Sequence, residues 1–362
     1  MKISICLFFA LLLVPGRLIL AQTKLDSILI NTRTMERTLT VYKGEWRITP
    51  GYQFHNYNNR YDQAGGKVHL AREDGVAMFS NTIFADIQYG VTSFMDIDVK
   101  IIQYTQRRER YAPVFVSGAT FWNPGAGFID FQKTYITRGL NDILVKSNLR
   151  IPNMPRAVDI ALTPGISLPS AKHDPEQPEH VLDVPDFNAG IDGLEDGESG
   201  SVDYLYINHW GHGVTSAYIG NTVKWRGKNI AVTNHLYSVL PLKTGETYYW
   251  KHSLEGGVFS YSNTPYSYDI NDVFVWDVLF EYQAYPWMDI MLHFNKFSAK
   301  NGWSDVTGEK IAFMPEKINN VIIGYELIVT PRLWFRQQVL LPLSGQNTVS
   351  AFSIDSKFVF SL

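Results

Sequence analysis

From about residue 44 onward the chain alternates apolar and polar residues with a period of two, and its charges fall almost entirely on one side of that alternation. Residues 274–283 put Phe274, Trp276, Val278, Phe280 and Tyr282 on one face and Asp277, Glu281 and Gln283 on the other. Residues 288–295 set Ile290, Leu292 and Phe294 against Asp289, His293 and Asn295. Near 96–102, Ile97, Val99 and Ile101 oppose Asp96, Asp98 and Lys100, and near 142–151 Ile143, Val145, Leu149 and Ile151 oppose Asp142, Lys146, Asn148 and Arg150. The last segment sets Ile354, Phe358, Phe360 and Leu362 against Ser353, Asp355 and Lys357. A period of two is that of a β-strand. Strands with one apolar face must turn it to another layer or to lipid. Charge on a lipid-facing midplane position costs about 2–4 kcal/mol, whereas a lumen tolerates it. Lipid cannot satisfy an open sheet edge, so the sheet must also close on itself. The pattern predicts an all-β fold, an antiparallel transmembrane barrel.

Thirteen segments carry the pattern: 44–55, 77–89, 96–104, 139–151, 157–168, 214–226, 229–240, 250–261, 272–284, 287–297, 318–329, 332–342 and 349–362. Termini on the same side of the membrane require an even number. The expectation is therefore 12 or 14 strands, with the miscount between residues 241 and 272. Short connections at 90–96, 152–156, 226–228, 284–289 and 330–332 alternate with long ones near 56–76, 103–139, 169–211 and 298–317. Short periplasmic turns and long extracellular loops are the layout of such barrels.

Composition agrees. Aromatic residues make up 14% of the chain and charged residues 19%, a balance suited to a large apolar surface with an aromatic rim. The net charge of −3 offers no basic patch for a phosphate backbone, so no nucleic-acid partner is expected. No window of 18 apolar residues follows the first segment, so the sequence predicts no transmembrane helix. The one cysteine, Cys6, lies in that first segment and leaves no disulfide or Cys-bound metal beyond it.

Lys2, the apolar run from Ile3 to Val14 and a cut after Ala21 predict a signal peptide over 1–21, with Gln22 as the mature start. Residues 22–43 form a separate segment in which Leu25, Ile28, Leu29, Met35 and Leu39 are loosely helix-spaced. It reads either as a plug-like element at the barrel mouth or as a periplasmic linker. The barrel occupies 44–362.

The stretches "GLNDILVKSNLRIP" (139–152) and "VDIALTPGISLPSAK" (158–172) together resemble a paired hairpin of FadL-like outer-membrane barrels, among them those of the "MetA pathway of phenol degradation" type. In that family the hairpin runs Gly-x-Gly-Asp, strand, short turn, then an apolar strand ending Pro-Thr-Gly. Here Asn141 stands for the second Gly, and Ser170-Ala171 for Thr-Gly. "GYELIVTPRLWFRQQVLLPLSG" (324–345) is similar to the family's closing hairpin. In layout the resemblance spans most of the mature chain, in letters only these stretches. It implies an outer-membrane channel for small hydrophobic or aromatic molecules and identifies no catalytic residue; no cofactor is expected.

The alternation places Arg47, Asp86, Asp98, Lys100, Lys146, Arg150, Asp159, Lys224, Asp277, Glu281, Glu326, Arg336, Asp355 and Lys357 inside, lining the lumen. Such a set either orients and filters a solute or simply fills a narrow barrel with ion pairs. The acidic stretch 183–200 carries Asp183, Asp186, Asp192, Glu195, Asp196 and Glu198, but its spacing is not that of an EF-hand. It reads as a solvated outer loop. His209 and His212 lack a third ligand, so no metal site is expected. The basic run 106–110 reads as a solvated rim, with contact to lipopolysaccharide phosphates as the sharper alternative. Esterase chemistry would need Ser and His together. The nearest pairs, His235 with Ser238 and His293 with Ser298, sit in no catalytic motif, and no enzyme is predicted. The expected partners are outer-membrane lipid and a small-molecule solute. A non-conducting anchor, or a component of a surface or secretion complex, is the rival reading. The sequence does not set the oligomeric state.

Overall fold

A computed structural model describes residues 38–70, 72, 76–111, 134–170, 214–255, 258–305 and 310–362. The strands are β1 (Trp46–Tyr61), β2 (Lys67–His69), β3 (Val76–Thr92), β4 (Met95–Tyr111), β5 (Thr134–Leu140), β6 (Ile143–Arg150), β7 (Val158–Leu168), β8 (Ser216–Arg226) and β9 (Ile230–Pro241). They continue with β10 (Gly245–Glu255), β11 (Val258–Asp269), β12 (Asp272–Tyr285), β13 (Met288–Lys300), β14 (Trp303–Ser304), β15 (Ile311–Ala312), β16 (Glu316–Thr330), β17 (Leu333–Gln346) and β18 (Thr348–Ser361).

Twelve of these strands form a ring in the order β1, β3, β4, β6, β7, β8, β9, β12, β13, β16, β17, β18, and β18 pairs with β1 to close it. Every pairing in the ring is antiparallel. At the closing seam the backbones of Trp46 and Leu362 exchange hydrogen bonds of 3.1 and 2.8 Å. β5 continues the wall beyond β6, both pairing with β4.

The thirteenth segment, 250–261, is not part of the wall. It falls in the β10–β11 hairpin, which with β14 and β15 makes a separate four-stranded sheet. Its alternation is a true strand signal, but period alone does not say which sheet a strand joins. The barrel therefore has twelve strands. Nor is every outer connection long: a single residue, Asn347 at φ 50°, joins β17 to β18.

On the outer wall, Ile83, Leu162, Ile219 and Ile323 are all at least half exposed. A continuous apolar belt of this kind is stable only against lipid. At the short-turn end it is edged by exposed Trp46, Trp225, Tyr282, Tyr285 and Trp287, with the last two rings stacked at 5.3 Å. Aromatic rings, apolar in body and polar at the tip, suit that interface. Among the described residues no helix is long and apolar enough to cross a membrane, so crossing falls to the strands.

Candidate functional site: the barrel interior

Antiparallel pairing in fixed register stacks the enclosed side chains into rungs perpendicular to the strands, which slope with the strand tilt. One polar rung crosses five strands: Thr222, His235, Asp277, Asn295 and Asn320 are successive register partners. Asn295 donates Nδ2 to Asp277 Oδ1 (2.5 Å), and Asn320 donates Nδ2 to Asn295 Oδ1 (2.9 Å). His293 Nε2 lies 3.3 Å from the same carboxylate, and His235 Nδ1 lies 4.0 Å from its other oxygen. The far side of the His235 ring, Nε2, meets Tyr218 OH at 3.2 Å.

Toward the long loops the next rungs on β8, β9, β12, β13 and β16 are apolar and aromatic, whereas β1, β3, β7 and β18 enclose His55, Ser80, Thr82, Thr163, Ser167 and Ser353. Tyr237, Val275, Phe297 and Ile318 come first, then Tyr218, Val239, Val273 and Ala299. The Tyr218 and Tyr237 rings stack at 5.0 Å. Toward the short turns, past Leu279, Ile322 and Leu340, the interior becomes ionic.

There the predicted residues meet one another. Lys146 Nζ is 3.0 Å from Asp98 Oδ2, and Lys224 Nζ is 3.3 Å from Glu281 Oε2. Arg336 Nη2 is 2.8 Å from Glu326 Oε2, and Lys357 Nζ is 3.2 Å from Asp355 Oδ2. Asp159, fully buried, accepts from Arg150 on one neighbouring strand and from Arg226 Nη2 (2.7 Å) on the other. Asp86 lies among Lys100, Asp98, Lys146 and Lys357, and Lys100 Nζ sits 5.2 Å over the Phe84 ring. Arg47 bonds Glu45 (3.2 Å) and Gln88 (3.5 Å). Burying charges is costly unless each is paired, and removing one partner of a buried pair costs about 3–5 kcal/mol.

The chain just before β1 enters this ionic zone as a strap. Thr40 and Val41 are almost wholly buried. Leu39 N donates to Asp159 Oδ2 and Val41 N to Asp96 Oδ2, both at 3.0 Å. Asp96 is held in turn by Gln88 Nε2 (3.0 Å) and Asn148 Nδ2 (2.7 Å). A Cβ on Gly90 would overlap the carbonyl oxygen of Tyr42, so glycine is what lets the strap lie against β3. The strap ends at the seam on Glu45. Burial pushes that carboxyl up, but hydrogen bonds from Ser361 and Tyr42 N, with Arg47 beside it, outweigh burial and hold it below the usual carboxylate range.

Several interior residues were absent from the predicted set: Asp96, Asp289, Arg226, His235, Tyr218 and Tyr237. The same period of two places each on the enclosed face, so the signal was present. Tyr218, Tyr237 and His235 carry no fixed charge and so do not stand out against the apolar row, whereas Asp96, Asp289 and Arg226 follow the same alternation as the predicted charges. The two Ser–His pairs do not assemble. His235 and His293 share the face of Asp277, while Ser238 and Ser298 are each an odd number of positions away and so point to the opposite face. The acidic stretch 183–200, His209, His212 and the segment 1–37 lie outside the described residues, as do the side chains of 106–110. Among the described residues no group of three or more His, Cys, Asp or Glu side chains is arranged to hold a metal ion.

No family model matches the sequence, and no curated protein matches it. Its fold does match solved structures. An outer membrane channel from Pseudomonas putida F1 superposes with a TM-score of 0.55 at 11% identity, covering 91% of this chain and 98% of that one. A TodX mutant described as a monoaromatic hydrocarbon channel gives 0.47 at 8% identity, with 89% and 91% covered. The translocator domain of the autotransporter NalP from Neisseria meningitidis gives 0.41 at 6% identity, with 93% of each chain covered.

Proposed function

We propose that this twelve-stranded barrel, whose fold is that of a bacterial outer-membrane barrel, is a channel for small solutes with an apolar or aromatic body and a polar end. The graded interior carries the reading. A solute entering from the long-loop side meets the apolar and aromatic patch of β8 to β16, with hydroxyl and imidazole groups across from it, then the hydrogen-bonding rung around Asp277, then the ionic zone. Apolar walls with a few placed polar groups are how a site desolvates such a molecule while fixing its orientation. The fourteen interior charges predicted from the sequence serve mainly below that point, where they meet the polar end of the solute and hold the wall together. In this reading residues 1–21 direct export and the strap at 38–45 is the gate of the periplasmic mouth, latched on Asp96 and Asp159. No residue has a catalytic role in it.

Planar-bilayer conductance tests the reading. The Asp96→Asn, Asp159→Asn double variant should conduct several-fold more than the parent, and an aromatic solute should reduce its current more than a sugar of equal size. A folded variant that stays sealed and indifferent to solute would exclude transport. The second reading, a non-conducting anchor, is favoured by the density of the ionic zone, where Asp159, Glu281 and Glu326 are at most 1% exposed. A sealed bilayer is what it expects.

A further inference from the structure

Three exposed lysines stand on the lipid-facing wall of β13 and β16. Along β13 the even positions Ile290, Leu292 and Phe294 are exposed to the outside, and Lys296 and Lys300 continue that row. On β16, Lys317 shares the outward row of Ile323. Lys317 is the register partner of Ser298, so it lies diagonally between Lys296 and Lys300. Diagonal neighbours on one sheet face are about 7–8 Å apart. No ion pair between any of the three and a carboxylate is seen among the described residues. Asp272 faces Lys300 in register but accepts from Asn301 Nδ2 at 2.7 Å, and Glu316, beside buried Ala299, belongs to the other face. Asp272 offsets Lys300 in part, but Lys296 and Lys317 face no carboxylate in register, so the cluster keeps a net positive charge.

Depth says what would neutralise it. An apolar band about 25 Å tall, crossed at about 3.4 Å per residue and a tilt near 40°, takes roughly nine or ten residues. Counted along β12 from the aromatic edge at Tyr282, it ends near Phe274 and Asp272. Phe274 pairs with Ser298, which pairs with Lys317, and Asp272 pairs with Lys300; at this tilt each step from β12 toward β16 rises by about 3 Å. Lys317 and Lys300 therefore stand at the upper boundary. Lys296, opposite exposed Trp276, reaches it by extending its stem. Directly below lie exposed Leu292, Phe294 and Ile323, an apolar track for acyl chains.

We propose that this face binds the phosphorylated glycolipid of the outer leaflet, lipid A. Its phosphates lie across the three lysines and its acyl chains run along Phe294 and Ile323. The proposal rests on the barrel sitting in an outer membrane, and not on whether it conducts.

Native mass spectrometry of the folded barrel in detergent, titrated with bis-phosphorylated lipid A, tests it. The Lys296→Gln, Lys300→Gln, Lys317→Gln variant should bind at least tenfold more weakly than the parent, with folding checked by heat-modifiable gel migration. Lys43→Gln with Lys228→Gln, at the short-turn end, should bind as the parent does. Dephosphorylated lipid A should bind weakly, and an equal amount of phosphatidylglycerol should not displace the bis-phosphorylated form. Should the triple variant fail to fold, Lys317→Gln alone and the salt dependence of the parent decide, since binding must fall in both. Undiminished binding by the lysine variants, equal binding of the dephosphorylated form, or displacement by phosphatidylglycerol overturns the proposal.

Discussion

The two halves of the barrel interior are built from the same alternating strands and are held together differently. Toward the long loops, Tyr218, Tyr237, Val275 and Phe297 line a wall whose members need little from one another. Toward the short turns, Asp159, Glu281, Glu326 and their basic partners depend on each other, because a buried charge without its partner is costly. Residues that lose little when a neighbour changes are free to serve a solute. Residues that must satisfy one another are committed to structure. Facing a lumen is therefore not enough to make a side chain a recognition residue; the charges most legible from sequence lie on the structural side of that division.

The largest expected effect comes from Asp159→Ala, which strands Arg150, Arg226 and the strap's Leu39 N. It should destabilise the barrel by about 3–5 kcal/mol in urea unfolding. A loss below about 1 kcal/mol would erase the difference between the halves. Next is Phe294→Arg, on the outer wall at mid-depth, expected to cost about 2–4 kcal/mol. Ile290→Arg, opposite Tyr282 of the aromatic edge, should cost only about 0–1 kcal/mol. Equal costs would show that the depth scale used for both faces is wrong. Truncating the outer half, Tyr218→Ala with Tyr237→Ala, should cost roughly 0.5–1.5 kcal/mol beyond the area lost and should mainly change solute block in bilayers. If stability collapses while solute block is unchanged, the outer half is as structural as the inner.

The smallest effect concerns Glu45 at the seam. Its folded value is depressed, so its contribution is complete above the ordinary carboxylate range and is lost as pH falls through the folded value. Glu45→Gln should leave stability at pH 7 slightly lower and flatten its decline below about pH 4.3. An unchanged acid decline would mean that Ser361 and Arg47 do not hold it.

The wall itself was legible. Twelve of the thirteen segments chosen by alternation are barrel strands, and the doubtful region, 241–272, is where the extra hairpin lies. The site was legible only as a face. Asp277 and Asp159 look alike in sequence, each a carboxylate amid apolar neighbours. One sits mid-lumen among His235, His293 and Asn295, and the other closes a cluster of two arginines and the strap. Nothing local distinguishes them. Lys296 and Lys317 were missed for the opposite reason, since the rule that lipid-facing charge is costly holds at the midplane and lapses at the edge.

A repeat of two along the chain was enough to decide which side chains face lipid, that the sheet must close, and that charge belongs inside or at the rim. It carries no information on height or neighbours, because a strand looks the same to its own residues wherever it is paired. Height and neighbours come from register around a closed ring, and register depends on turn lengths and on the β1–β18 seam, some 300 residues apart in the chain. Only the assembled barrel could therefore decide which charges pair, where the polar rung falls, and that the strap reaches Asp96 and Asp159.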